Sequence, residues 1–524
     1  MRRVLLVAAV LSSPALAQDH VHPAGDPATV GNVSFAVSCA PGIQPRFERA
    51  VAMLHSFWFE AASDAFEQIA AADSTCAMAY WGSAMTLMGN PMTRMAPSPQ
   101  RQSRGLVLAE RAKALSARAS HREQMYADAV LAYYRDHATR DHMTRMKAHE
   151  QAFHALRTMH ADDMEATIFY ARTVVANAPP TDKTFAGQIM AAELLQPLFD
   201  THPRHPGLAH YLIHAYDAPP IAMRGAAAAK AYAGIAPDAP HALHMPSHIF
   251  TRLGHWDESI ETNIRSARAE PDSNAAVHPM DYMVYAYLQQ GRVRAAQEVV
   301  NRAVSSTDQF YGRSLGYNFV AMRARVSLER SAWRDAAALE PRAQESSYVS
   351  ALTYFARALG AARSGDVARA TADVDSLAAM ESRLRAANDG YWSTLVGAQK
   401  LAASAWILFA SDRDQALALA RAAVDREETV EKHPVTPGPL IPARELLGDM
   451  LMEMGRAKEA QVEYEKTMVS EPRRLRSLYG AARAAEAAGD AAAARKHYTL
   501  LLDVVRKADA ALPEAAAARK YLGP

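Results

Sequence analysis

The sequence predicts an all-α protein, a solenoid of stacked helix pairs, on three observations. From about residue 44 the text is Ala-rich, with apolar residues at helical spacing. The alternating Val, Ile and Thr runs that mark strands are almost absent. An internal period of 34 residues runs through the chain, as in Gly455 and Gly489, with Ala460/Ala494, Tyr464/Tyr498 and Thr467/Leu501 following at matching offsets.

The segments follow in order. Arg2 and Arg3, an apolar run from Val4 to Leu11 and the small-x-small Ala15-Leu16-Ala17 read as a signal peptide over 1–17, cut after Ala17. The mature protein is expected to be periplasmic or secreted. Residues 18–32 (QDHVHPAGDPATVGN) are polar and aperiodic and are expected to be a mobile leader, with His20 and His22 as solvated tail residues. The main solenoid is placed at 33–430, a Pro-rich spacer at 431–443 (EKHPVTPGPLIPA) and a C-terminal repeat pair at 444–524. Further interruptions fall near 93–105 and 178–186.

The stretch LLGDMLMEMGRAKEAQVEYEKTMVSEP sets the register. Leu447, Gly448, Leu451, Gly455, Ala460, Tyr464, Thr467 and Pro472 occupy positions 7, 8, 11, 15, 20, 24, 27 and 32 of the unit. This resembles the tetratricopeptide repeat (TPR), whose small residues at 8, 20 and 27 allow close helix contact and whose Pro at 32 ends the second helix. Gly254, Ser259, Ser266 and Pro271 fit the same register, as do Gly291, Ala296 and Ala303, and the pattern restarts at Gly365. Phe59 to Asp73 reads as the second helix of a first repeat.

Composition narrows the functions. The 57 Lys+Arg balance 56 Asp+Glu, a net +1 that becomes −1 if Arg2 and Arg3 leave, so neither nucleic acid nor an anionic membrane is an expected partner. No apolar run after the signal peptide reaches the roughly 18 residues of a membrane span. The two cysteines, Cys39 and Cys76, are expected to pair in an oxidising compartment, two free thiols being the alternative. There is no G-x-S-x-G elbow, phosphate-binding Gly loop, H-E-x-x-H or C-x-x-C.

Histidine is the exception, because nine of the 20 lie between His202 and His278. His210, His214 and Asp217 are spaced i, i+4 and i+7; His241, His244 and His248 are spaced i, i+3 and i+7; His278 and Asp281 add an i, i+3 pair. In the repeat register these fall at 5, 9 and 12, then 2, 5 and 9, then 2 and 5. Such positions line the concave groove of the tetratricopeptide fold that the register resembles.

Imidazole and carboxylate without thiolate suit Zn²⁺, Fe²⁺, Mn²⁺ or Cu²⁺. One shared ion on His214, His248 and His278 is the simplest expectation, with His205 and His255 pointing away. Two rivals stand beside it: a metal-free groove that binds a peptide or protein, and a metal-dependent hydrolase or oxidoreductase on the same groove. Pro246 falls inside the second stripe and is expected to start or kink its helix. His55 is a weaker groove candidate among Phe57, Trp58, Tyr80 and Trp81, which read as core aromatics. The histidines from 121 to 160 read as a solvated helix face.

Taken together, LHSFWFEAA (54–62), CAMAYWG (76–82) and HMPSHIFTRLG (244–254) resemble a group of exported bacterial tetratricopeptide proteins over roughly residues 33–300. The resemblance implies a solenoid and an exported location and carries no activity.

Overall fold

The computed structural model describes residues 29–270, 276–310, 316–342, 345–510 and 512–523. The expected signal peptide, the expected leader up to residue 28 and Pro271 lie outside the described residues. Every regular element among the described residues is helical, and successive helices pack on one another along the chain in a TPR-type α-solenoid.

The register glycines behave as their position requires. Gly254, Gly291, Gly365, Gly455 and Gly489 all have φ between +68° and +86°, the left-handed turn that ends the first helix of a pair. At Gly254 close approach adds a second constraint, since a Cβ there would sit 2.8 Å from the Pro472 carbonyl oxygen. Local capping marks the starts: Ser120 and Glu123 form a capping box, and Pro206 sits in the first turn of Pro206–Tyr216 while His205 Nδ1 accepts from the Leu208 N–H.

Two apolar cores run in series, one from Val30 to Phe250 and the other from Trp256 to Ala518. The C-terminal repeats return onto the middle of the chain. Trp256 Nε1 donates to the Arg473 carbonyl at 3.2 Å, and Tyr285 donates to Glu471 at 2.8 Å. Arg474, fully buried, pairs with Glu445 at 2.9 Å and Glu329 at 3.0 Å.

Residues 29–32, assigned to the leader by composition, are docked instead. Val30 is buried, Thr29 N–H donates to Asp238, and Asn32 N–H donates to the Arg204 carbonyl. Among the helices of 121–160, His149 is also not on a solvated face. It is fully buried and its Nδ1–H donates to the Ala129 carbonyl at 2.6 Å, because that stripe of the helix faces the core.

The three segments that interrupt the repeat meet one another. Glu431 N–H donates to the Pro180 carbonyl (2.8 Å), His433 Nε2 to the Thr93 carbonyl (2.9 Å), Arg94 to the Ala178 carbonyl (2.8 Å), and Lys183 pairs with Glu431 at 2.8 Å. The 431–443 segment is thereby an internal strap, with His433, Thr436, Leu440 and Ile441 buried. Arg325 anchors it from the other side, donating to the Gly438 and Pro439 carbonyls and to Thr436 Oγ1, each at 2.7 Å.

Cys39 and Cys76 form a disulfide with Cα atoms 4.9 Å apart, tying the extended N-terminal segment to the start of Ala77–Leu87. Closing a loop of that length restricts the unfolded chain by about 3–4 kcal/mol in the chain-entropy treatment. Thiol titration of the unreduced, denatured protein is expected to find no free thiol, and reduction is expected to lower the thermal midpoint. Two titratable thiols per chain would exclude the bond.

Candidate metal centre

Four short helices supply the site. Pro206–Tyr216, buried along its whole length, carries His210 and His214 one turn apart, so both rings leave the same face. The next stripe spans Pro240–His244 and Pro246–Arg252, with His278 near the start of Val277–Gln289. Pro246 interrupts the helix at Met245, yet Met245 keeps helical backbone angles (φ −52°, ψ −36°). His244 and His248 therefore stay on one face across the proline.

The six histidines form one continuous cluster of two triads. Ligand-capable nitrogens of His210, His214 and His241 lie within 4.8 Å of one another, as do those of His244, His248 and His278. Ring centroids across the boundary are 5.8 Å apart for His214–His248 and 5.9 Å for His241–His244. His214 thus belongs with His210 and His241, not with His248 and His278: its ring centroid is 4.9 Å from that of His210, its i, i+4 partner, and 5.8 Å from that of His248.

Hydrogen bonding assigns the protons. His248 Nδ1 faces Asp217 Oδ2 at 2.8 Å, and a carboxylate only accepts, so Nδ1 carries the hydrogen. Asn263 Nδ2 donates to the Ser259 carbonyl at 2.6 Å, which turns its Oδ1 toward His244 Nδ1, again at 2.6 Å. His244 Nδ1 must therefore donate as well. In neutral rings both Nε2 atoms then carry lone pairs, and these face each other at 3.0 Å.

The first triad repeats part of this arrangement. His210 Nδ1 donates to the His55 carbonyl at 2.6 Å and turns its Nε2 to within 3.1 Å of His214 Nε2. The third ring of each triad brings a buried nitrogen without a hydrogen-bond partner, His241 Nε2 and His278 Nδ1. Burial pushes the pKa of all six rings below the ordinary value, reinforced by neighbouring histidines at His210, His214, His241, His244 and His278 and opposed by Asp217 at His248. Neutral imidazole is the form that binds metal.

An N–metal distance of about 2.0–2.1 Å with bond angles between square and tetrahedral puts neighbouring ligand nitrogens about 2.9–3.4 Å apart. Both Nε2 pairs match. The outer hydrogen bonds also match, since a ligating histidine donates its second N–H to a carboxylate, amide or backbone carbonyl.

The two aspartates of the sequence stripes do other work. Asp217 orients His248 and is itself held by Arg252 (2.9 Å) and Lys432 (3.1 Å). Burial alone would push its carboxyl up; Lys432 and Arg252 reverse this and hold it well below the usual carboxylate range. Asp281 does not join the cluster. It is fully buried against Arg325 at 2.9 Å and accepts from Asn318 at 3.2 Å.

His55, Glu165 and His205 form a separate buried group, with Glu165 accepting from both Nε2 atoms at 2.9 Å. His205 Nδ1 accepts a backbone N–H, so its Nε2 is the protonated nitrogen, and the carboxylate is satisfied by hydrogen bonds alone. His205, expected to point away from the groove histidines, lies outside the six-histidine cluster and is buried at a helix cap.

Sequence reasoning missed three contributors. Lys432 arrives on the strap from far along the chain. Arg252 carried no signal beyond a helical position. Phe57, read as core, is buried in the left-handed region (φ +53°), stacks on His241 at a centroid distance of 5.4 Å and meets His210 edge-on at 4.4 Å. The cluster borders two cavities. One of about 130 Å³ is lined by Phe57, Trp58, His241, His244 and His278. The other, about 920 Å³, is bounded by His214, Asp217, Lys432 and the three interrupting segments.

No family profile and no curated protein sequence matches this chain. Among solved structures it is similar to the human IFIT1 dimer with PPP-AAAA, at 10% identity over 87% of this chain and 89% of that one, with a TM-score of 0.40. It is also similar to Cut9 in the APC/C hetero-tetramer Cut9–Hcn1, at 10% identity over 90% and 95% of the two chains, with a TM-score of 0.29.

Proposed function

We propose that this protein is an exported TPR-type scaffold whose inner wall binds a divalent transition metal through His210, His214, His241, His244, His248 and His278. One observation carries the reading: the Nε2 atoms of His244 and His248 face each other at 3.0 Å although Asp217 and Asn263 take the proton of each Nδ1. Two lone pairs at that distance repel, and a cation between them turns the repulsion into two bonds. Six nitrogen donors without a carboxylate favour Zn²⁺ or Cu²⁺ over Mg²⁺ or Ca²⁺.

Export is supported by the signal-like N-terminal sequence and by the disulfide. No helix among the described residues is long and apolar enough to cross a membrane. The 920 Å³ cavity beside His214 and Asp217 supports a second role, capture of a peptide or small substrate next to the metal.

The test is metal content by inductively coupled plasma mass spectrometry on protein purified without a His tag, loaded and then dialysed. Retained Zn or Cu, with a thermal midpoint that falls on chelation, is expected. If no ion binds more tightly than micromolar, the groove is a metal-free binding scaffold.

A further inference from the structure

The two triads obey one rule. His244 and His248 stand 34 residues after His210 and His214, one repeat length. The first triad takes positions 5 and 9 of one repeat and position 2 of the next, His241. The second takes positions 5 and 9 of that next repeat and position 2 of the one after, His278. The solenoid has built the same site twice, one step apart. The series stops there, because Asp281 at the next position 5 turns to Arg325 and Tyr285 follows at 9.

The second copy is not a redundant lobe of a single site. Each triad has its own facing Nε2 pair, at 3.1 and 3.0 Å, and its own partnerless nitrogen on the third ring. Each also has its own outer acceptors, the His55 carbonyl for the first and Asp217 and Asn263 for the second. A single ion held by one triad would leave the partnerless nitrogen of the other, His241 Nε2 or His278 Nδ1, still without a partner. The triads nevertheless touch, with His214–His248 and His241–His244 centroids 5.8 and 5.9 Å apart.

Resting on the metal reading above, we propose that the centre is dinuclear: one ion on His210, His214 and His241, and a second on His244, His248 and His278. Three protein ligands leave each ion an open position, the arrangement of catalytic rather than closed structural sites. Adjacent ions with open positions suit a small oxygen-donor ligand bridging both, such as hydroxide or a carboxylate. The 130 Å³ cavity, bordered by His241 of one triad and by His244 and His278 of the other, has room for a ligand of that size.

The experiment titrates the full mature chain with Zn²⁺ and, separately, Cu²⁺, and measures bound metal per chain. Wild type is expected to bind two ions. His210→Ala with His241→Ala, and His244→Ala with His278→Ala, are each expected to retain one. In the copper form, adjacency is read by electron paramagnetic resonance. The integrated spin is expected to fall below the copper content in wild type, through coupling, and to equal it in either double variant. One ion per wild-type chain, or a wild-type spin count equal to two coppers, overturns the dinuclear centre while leaving the metal reading intact. No bound ion overturns both. The wild-type measurement stands even if a variant fails to fold.

Discussion

His244→Ala or His248→Ala is expected to weaken binding of the ion on His244, His248 and His278 by about 100-fold or more, since loss of even a supporting contact around a metal typically costs 10–100-fold. That corresponds to about 2.7 kcal/mol or more of ion affinity. The metal-free proteins should show the opposite contrast. With one ring of the facing pair gone, the lone-pair repulsion at 3.0 Å disappears, which offsets part of the lost packing. The gap between metal-loaded and metal-free thermal midpoints should therefore collapse mainly from the loaded side.

Asp217→Asn is expected to fall within the 10–100-fold range, because it weakens the bond that aims His248 and leaves Arg252 and Lys432 buried beside a neutral amide. His255→Ala is the control, since His255 is exposed ahead of Trp256–Ala269. His205 cannot serve as one: it is buried on Glu165, and its loss would disturb the helix that carries His210. Isothermal titration with Zn²⁺ checks the series. Affinities of the two histidine variants equal to that of His255→Ala would remove these rings from the site.

Arg325→Met is expected to destabilise the protein by about 3–5 kcal/mol, the usual cost of stranding one half of a buried ion pair. Arg325 and Asp281 are both fully buried, and the guanidinium also serves the Gly438 and Pro439 carbonyls and Thr436. Removing it strips buried Asp281 of its counter-charge and the Pro439 carbonyl of its Arg325 donor, while Gly438 keeps the bond from Thr436 Oγ1. The strap should loosen first. Hydrogen exchange of amides in 431–441, with Lys432 among them, should rise before the rest of the fold opens. Adding Asp281→Asn should recover part of the loss, because the stranded charge is gone. Urea unfolding of the single and double variants measures it, and a single-variant loss under about 1 kcal/mol would mean that the pair contributes little.

Much of the fold was legible because a repeat is a local, one-dimensional signal. Gly254, Gly291, Gly365, Gly455 and Gly489 mark turns whose left-handed φ depends only on their own helix pair. The i, i+4 spacing of His210/His214 and His244/His248 likewise settled which rings share a face, since helix geometry alone requires it. What the spacing could not divide was six rings into triads, or a carboxylate that binds metal from one that holds a histidine. Those outcomes depend on which nitrogen already has a hydrogen-bond partner, and the partners, the His55 carbonyl, Asn263 and Lys432, come from other elements.

The interrupting segments show the limit most plainly. By composition 93–105, 178–186 and 431–443 are breaks in a repeat. The solenoid instead curves until Thr93, Pro180 and His433 meet and close one side of the cavity beside the histidines. Repeat type, turn positions and the histidine stripes were written in the sequence, because neighbouring residues determine them. The pairing of nitrogens, the placing of Lys432 at Asp217 and the burial of the strap were decided only by the tertiary structure, because each depends on small rotations summed over many repeats, which no local pattern records.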